Sequence, residues 1–178
     1  LEGRGVEVYR VSGAKIAAFL DRTQFDRPTL VVDVDRVETR YRALSQGLKR
    51  ARIHYAVKAN PAPEIVTRLV GLGSGFDAAS RGEIELCLAH GAEKSRISFG
   101  NTIKRAADIA WAHGIGIDLF AADAEEELVK LAHHAPGARV YLRLLVEHSE
   151  ADWPLSRKFG CPPEEAMRLI GLAWNLGL

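Results

Sequence analysis

The sequence predicts an α/β protein of repeated βα units, and three observations carry that expectation. First, short runs rich in β-branched and aromatic residues alternate with stretches of helical periodicity: TLVVDV (29–34), IHYAVK (53–58), SGFDAA (74–79), RISFG (96–100), IDLFAA (117–122) and ARVYLRLL (138–145). Second, Tyr55, Phe76, Ser98, Leu119 and Tyr141 stand at corresponding places in these runs, separated by 21, 22, 21 and 22 residues. That repeat suits consecutive right-handed βαβ units in a parallel sheet. Third, the spaced glycines of GLGSGF (71–76) lead from a helix into a strand. A dinucleotide-binding fingerprint runs from strand to helix, so these glycines read as a helix C-cap and a tight turn. The regular unit suggests a (β/α)8 barrel with about the first five barrel strands present. A doubly wound open sheet gives much the same local signal, but it loses the support of a Rossmann-type cofactor loop.

The helices between the runs are marked by pattern and by their starts. Val37, Tyr41, Leu44 and Leu48 recur at helical spacing, as do Ile65, Leu69 and Val70, and later Ala166, Leu169, Ile170, Ala173 and Trp174. Asp35 with Glu38, Ser80 with Glu83 and Asp123 with Glu126 each place a capping residue three positions before a carboxylate, the capping-box arrangement. The last helical pattern runs to Leu178, where a further strand is due. Since a complete barrel takes about 250 residues, the 178 residues are expected to be the first part of a longer protein.

Composition narrows the function classes. The chain is 47% hydrophobic and 26% charged, as expected of a globular domain, with 24 basic against 23 acidic residues. With a net charge of +1 and no basic stripe interleaved with aromatics, nucleic acid is not an expected partner. No apolar stretch approaches the roughly 20 residues that cross a bilayer, and no signal-peptide pattern is present, so a cytoplasmic protein without a membrane partner is expected. Cys87 and Cys161 have no metal-ligand spacing, and His54, His90, His113, His133, His134 and His148 form no ligand set, so no metal site is expected. His133 and His134 end a helical pattern and Glu125 to Glu127 begin one, both placements that suit the helix dipole.

Chemistry concentrates at the ends of the predicted strands. In HYAVK, alternation puts His54, Ala56 and Lys58 on one face, so that Lys58 emerges at the C-terminal mouth where barrel enzymes build their sites. Such a place can support an amine for covalent chemistry with a carbonyl, whereas a solvated or ion-paired lysine is the simpler structural role. Asp77 ends the next strand. Arg143 alternates with Leu142 and Leu144 on the interior parity, where it needs an anion or an aromatic stack; an ion pair with Asp77 would satisfy it.

YAVKANPAPEI, GSGFDAASRGEIE, ISFGNTIK and WPLSRKFG together resemble, in order, the motifs of the barrel-type, fold-III pyridoxal-phosphate decarboxylases acting on ornithine, lysine and diaminopimelate. GNTIK and LSRKFG are most similar to the ornithine/lysine branch, and the likeness runs from about Phe25 onward. The resemblance implies pyridoxal 5'-phosphate as cofactor, Lys58 as the internal-aldimine lysine, and Asp77 and Arg143 as cofactor-binding residues. It further implies a basic amino acid as substrate and a homodimer with Lys158 near its interface. Residues 1–34 would form an N-terminal segment and strand associated with a C-terminal β domain, and 35–178 a partial barrel. The histidine that stacks on the ring, the phosphate-binding glycine loop, the acid facing the pyridine nitrogen and the partner-subunit cysteine and aspartate would lie beyond Leu178, leaving this chain alone inactive. Diaminopimelate decarboxylase and a regulatory homologue without catalysis are the alternatives. An alanine-racemase-like enzyme fits less well, because YAVKANPAP departs from the tyrosine-bearing continuation usual there.

Overall fold

The computed structural model describes residues 13–145 and 158–178. Of the sequence expectations, those on residues 1–12, on His148 and on the 153–157 half of WPLSRKFG lie outside the described residues. Among the described residues five short strands, β1 (His54–Ala56), β2 (Gly75–Ala78), β3 (Ile97–Phe99), β4 (Leu119–Ala122) and β5 (Arg139–Leu142), form one sheet in the order β1-β2-β3-β4-β5. All four neighbouring pairs are parallel. A doubly wound sheet reverses its strand order at a switch point. Here the order never reverses, so the sheet is barrel-type, as the repeat predicts.

Among the described residues seven α-helices accompany the strands: α1 (Ala14–Leu20), α2 (Val34–Gly47), α3 (Pro63–Gly71), α4 (Arg81–Ala89), α5 (Ala106–Gly114), α6 (Glu125–His134) and α7 (Pro163–Asn175). None of the described helices is long and apolar enough to cross a membrane. One face of the sheet, from Tyr55 through Phe76, Ala78, Ile97, Phe99, Phe120, Ala122, Val140 and Leu142, joins the core. Ile65, Val66 and Leu69 of α3, Ile84 and Cys87 of α4, Ile109 and Ala112 of α5 and Leu128 and Leu131 of α6 meet it from the helical side. Burying each large aliphatic side chain contributes about 1.5–3 kcal/mol, so this two-layer core is the main support of the sheet. The opposite face carries His54, Ala56, Asp77, Ser98, Leu119, Ala121, Tyr141 and, beyond the end of β5, Arg143, and so gathers most of the polar strand residues.

Three expectations are corrected. The run 29–34 forms no strand: α2 already begins at Val34, and Leu30 is 80% exposed. Its β-branched composition suits a pleated surface, but among the described residues no strand pairs with it. The start of α2 also differs, since Asp33 rather than Asp35 is its N-cap and accepts the Asp35 amide at 3.1 Å. Asp35 instead lies in the first turn, where Lys15 and Arg68 hold its carboxyl below its ordinary range.

Ser80 behaves as predicted. Its hydroxyl accepts the Glu83 amide at 3.3 Å, while the Glu83 carboxylate reaches back to accept the Ala79 amide at 2.6 Å. Asp123 does not cap α6. The N-cap there is Ala124, with no side-chain bond, and the Asp123 carboxylate accepts the amide of Gly160 at 2.7 Å. Gly160 has φ +96°, and a side chain on it would run into the Leu144 carbonyl at 2.8 Å. With Cys161 donating to the Arg143 carbonyl at 2.9 Å and accepting from the Leu145 amide at 2.8 Å, this segment is fastened to the end of β5.

Candidate functional site

Lys58 follows β1 but does not belong to it. The strand stops at Ala56, and Val57–Ala59 form a 3-10 turn in which Val57 is buried and Lys58 is exposed. The strand therefore ends two residues before the lysine, whose placement is set by the turn and not by strand parity. The turn is fixed from both sides. Tyr55, its phenol raised above its usual pKa by burial, donates to the Asn60 carbonyl at 3.1 Å. The Asn60 side chain accepts the Ala62 amide at 3.1 Å, and Pro63 then opens α3 at a position where its missing N–H costs nothing. Among the described residues the Lys58 ammonium forms no ion pair.

The register sets Ala56 of β1 beside Asp77 of β2, so the lysine stands two residues beyond the partner of that carboxylate. Asp77 in turn pairs with Ser98 of β3. The Ser98 hydroxyl donates to Asp77 Oδ1 at 2.8 Å, and the Tyr141 hydroxyl, arriving from β5, reaches the same oxygen at 3.3 Å. Burial first, and the Asp77 charge second, push the Tyr141 phenol up to about 12, while the Ser98 hydroxyl and, less strongly, the Arg143 charge act in the opposite direction. The carboxylate occupies the space above Gly100, where a β-carbon would overlap Oδ1.

Arg143 finds a stack rather than an anion. Its guanidinium lies 4.9 Å from the centre of the Phe159 ring, and among the described residues it forms no ion pair with Asp77 or any other carboxylate. Lys158, exposed, approaches the same ring with its ammonium 6.0 Å from the centre. Of the four predicted site residues, Asp77 thus pairs with Ala56, two residues before Lys58, and Arg143 and Lys158 share Phe159. Sequence reading missed Ser98, Tyr141 and Phe159. The repeat set Ser98 level with Phe76, whereas in the sheet Phe76 pairs with Ile97 and Ser98 with Asp77, so its place beside the carboxylate appears only in the register.

The loop after β3 is held by a buried ion cluster. Lys104, its side chain fully shielded, lies 2.8 Å from Glu127 Oε1 and donates to the carbonyls of Asn101 at 2.8 Å and Ala121 at 2.6 Å. Lys130 holds the other oxygen of Glu127 at 2.6 Å. Burial lowers the Lys104 pKa and Glu127 opposes that effect. With two protons given to buried carbonyls and its charge beside Glu127, Lys104 is an anchor and not a free amine. No group of metal-ligating side chains gathers among the described residues.

Residues 34–176 match the family described as pyridoxal-dependent decarboxylase, pyridoxal binding domain. The chain belongs to the pyridoxal-dependent decarboxylase family. The lysine/ornithine decarboxylase of Selenomonas ruminantium is 38% identical over 170 residues, 96% of this chain and 43% of that protein. Among solved structures, SrLDC in complex with PLP and cadaverine superposes with a TM-score of 0.80 at 36% identity, covering 96% of this chain and 42% of the other. The lysine/ornithine decarboxylase of Vibrio vulnificus complexed with putrescine gives 0.77 at 34% identity, with coverages of 92% and 42%. The chain therefore spans about two fifths of the length of these family members. Its five-stranded parallel sheet is the corresponding part of the decarboxylase barrel.

Proposed function

We propose that this chain supplies the pyridoxal-phosphate-binding part of a decarboxylase that converts ornithine or lysine to the corresponding diamine in a homodimeric enzyme. The observation that carries the reading is the position of Lys58: an exposed ammonium at the C-terminal end of β1, next to the Asp77 strand, within the matched pyridoxal-binding region. The donor set fits the cofactor. It offers a primary amine without an ion-pair partner among the described residues, a carboxylate that can only accept, and a guanidinium carried on the same sheet face.

When bound, pyridoxal phosphate supplies an electron-accepting ring that takes up the pair released as carbon dioxide leaves. The residues of this chain have simpler tasks. Lys58 Nζ is the covalent attachment point for the cofactor's aldehyde carbon and, once freed, an amine able to carry a proton at the mouth of the barrel. Asp77 accepts hydrogen bonds from whatever donors meet it there, and Arg143, held against Phe159, supplies a fixed positive charge. Lys158 lies on the exposed side of Phe159, where a second subunit would pack. Residues 1–34 belong with a β domain and 35–178 with the barrel.

Turnover decides the reading. The complete protein, loaded with pyridoxal phosphate, is assayed for carbon dioxide and diamine from ornithine, lysine and diaminopimelate, alongside the 178-residue chain alone. We expect the complete protein to produce putrescine or cadaverine, the Lys58→Ala variant to lose that activity, and the isolated chain to show none. Diaminopimelate as the preferred substrate, or no turnover of any of the three, would contradict the substrate assignment.

A further inference from the structure

We infer that Ser98 and Tyr141 are positioning residues that fix the carboxylate of Asp77 through one of its two oxygens and present the other to the bound group. The inference rests on the reading of Lys58 and Asp77 just given. Both hydroxyls converge on Oδ1, at 2.8 Å from Ser98 and 3.3 Å from Tyr141, and they come from the two strands β3 and β5. Among the described residues nothing donates to Oδ2.

Three features make this a built arrangement. Ser98 is buried and has one proton to give; the Phe76 carbonyl lies 3.3 Å from its oxygen, so the shorter, charge-assisted bond to Asp77 takes it. Tyr141 has its phenol pushed up to about 12, first by burial and then by Asp77 itself, and so remains a donor throughout the neutral range. Gly100 supplies the room, because any β-carbon there would fill the place Oδ1 occupies. An aspartate has two side-chain torsions, and anchoring one oxygen from two directions removes the freedom to swing away. The groups facing Asp77 are thus two neutral hydroxyls, close enough to each other for Ser98 to act on the Tyr141 phenol, with Arg143 acting on it more weakly.

The consequence is a division of labour within a single carboxylate: Oδ1 is structural and Oδ2 is functional. A ligand donor that meets Oδ2 then encounters an acceptor already in place. Neither Ser98 nor Tyr141 needs to touch the cofactor or the substrate for its loss to be felt.

The test uses the complete protein with Ser98→Ala, Tyr141→Phe and Asp77→Asn, singly and in combination. Crystals of the cofactor-free Ser98→Ala/Tyr141→Phe protein should show the Asp77 carboxylate displaced or in two rotamers, against one in the parent. In the loaded enzyme, Ser98→Ala should slow kcat about tenfold and Tyr141→Phe, with the longer bond, about threefold, with KM little changed. In the Asp77→Asn background both effects should shrink to within about twofold, since residues acting through one partner are not additive. A carboxylate that stays in place in the double variant, or equal kinetic losses with and without Asp77, would overturn the inference. If Asp77→Asn itself leaves turnover unchanged, the functional reading of Asp77 fails, and the crystals still decide whether the two hydroxyls hold it.

Discussion

The imidazole of His54 lies over Gly75, so close that a β-carbon at position 75 would stand 2.7 Å from the ring. The His54 ring reaches across to β2 here because the register pairs the two residues directly, and only glycine leaves room for it. Gly75→Ala is expected to destabilise the protein by about 1–3 kcal/mol, the usual cost of overpacking. The same change in a His54→Ala background should cost much less, because the clashing ring is gone. Chemical denaturation of the two single variants and the double variant measures both numbers, and equal costs in the two backgrounds would place the strain elsewhere.

Ser80→Ala should cost about 1 kcal/mol, the value of one helix N-cap, since Ser80 is the cap residue whose hydroxyl satisfies the Glu83 amide. Asp123→Ala should act differently. It leaves α6 without any loss of capping and frees the Gly160 amide, so hydrogen exchange should accelerate at Gly160 and not in the first turn of α6.

Lys104→Met is expected to be among the most damaging single substitutions. It leaves Glu127 buried with Lys130 as its remaining cation and strips the carbonyls of Asn101 and Ala121 of a donor. Breaking a buried ion pair from one side costs about 3–5 kcal/mol. Thermal unfolding should show the loss, and a drop comparable to that of an exposed pair such as Arg81 with Glu85 would contradict the buried-anchor role.

Cys87 is fully buried, and burial followed by the Glu83 charge pushes its thiol up to about 12. The native protein should therefore leave this thiol unmodified by iodoacetamide at pH 8, with modification appearing on unfolding. The sign for stability follows from the unfolded thiol, which ionises near a pKa of roughly 8.5. Between that value and about 12 the unfolded state releases a proton that the folded state retains, so the Cys87 contribution to stability falls as pH rises through this window. A Cys87→Ser variant should lack that component of the alkaline loss.

The strand repeat was legible because buried parallel strands must return at nearly constant spacing, and the parity of Asp77 and Arg143 followed from the pleat. Lys58 was harder. Period-two alternation holds only while the chain stays extended, and the Asn60, Pro61 and Pro63 that follow favour a turn, which takes Val57 inward and releases the lysine. The run 29–34 shows the limit from the other side: β-branched residues favour a strand only where another strand receives them. Ser98 and Tyr141 were missed because their role depends on register between strands and on the space above Gly100, neither of which is written in any one strand.

The central claim, that Lys58 is the amine that holds the cofactor, is tested most directly by borohydride reduction of the complete protein loaded with pyridoxal phosphate, followed by peptide mapping. The account predicts one pyridoxyl label per chain, on the peptide containing Lys58, and no label there in the Lys58→Ala protein. A label on Lys104, on Lys158 or on any other lysine in place of Lys58 would contradict it.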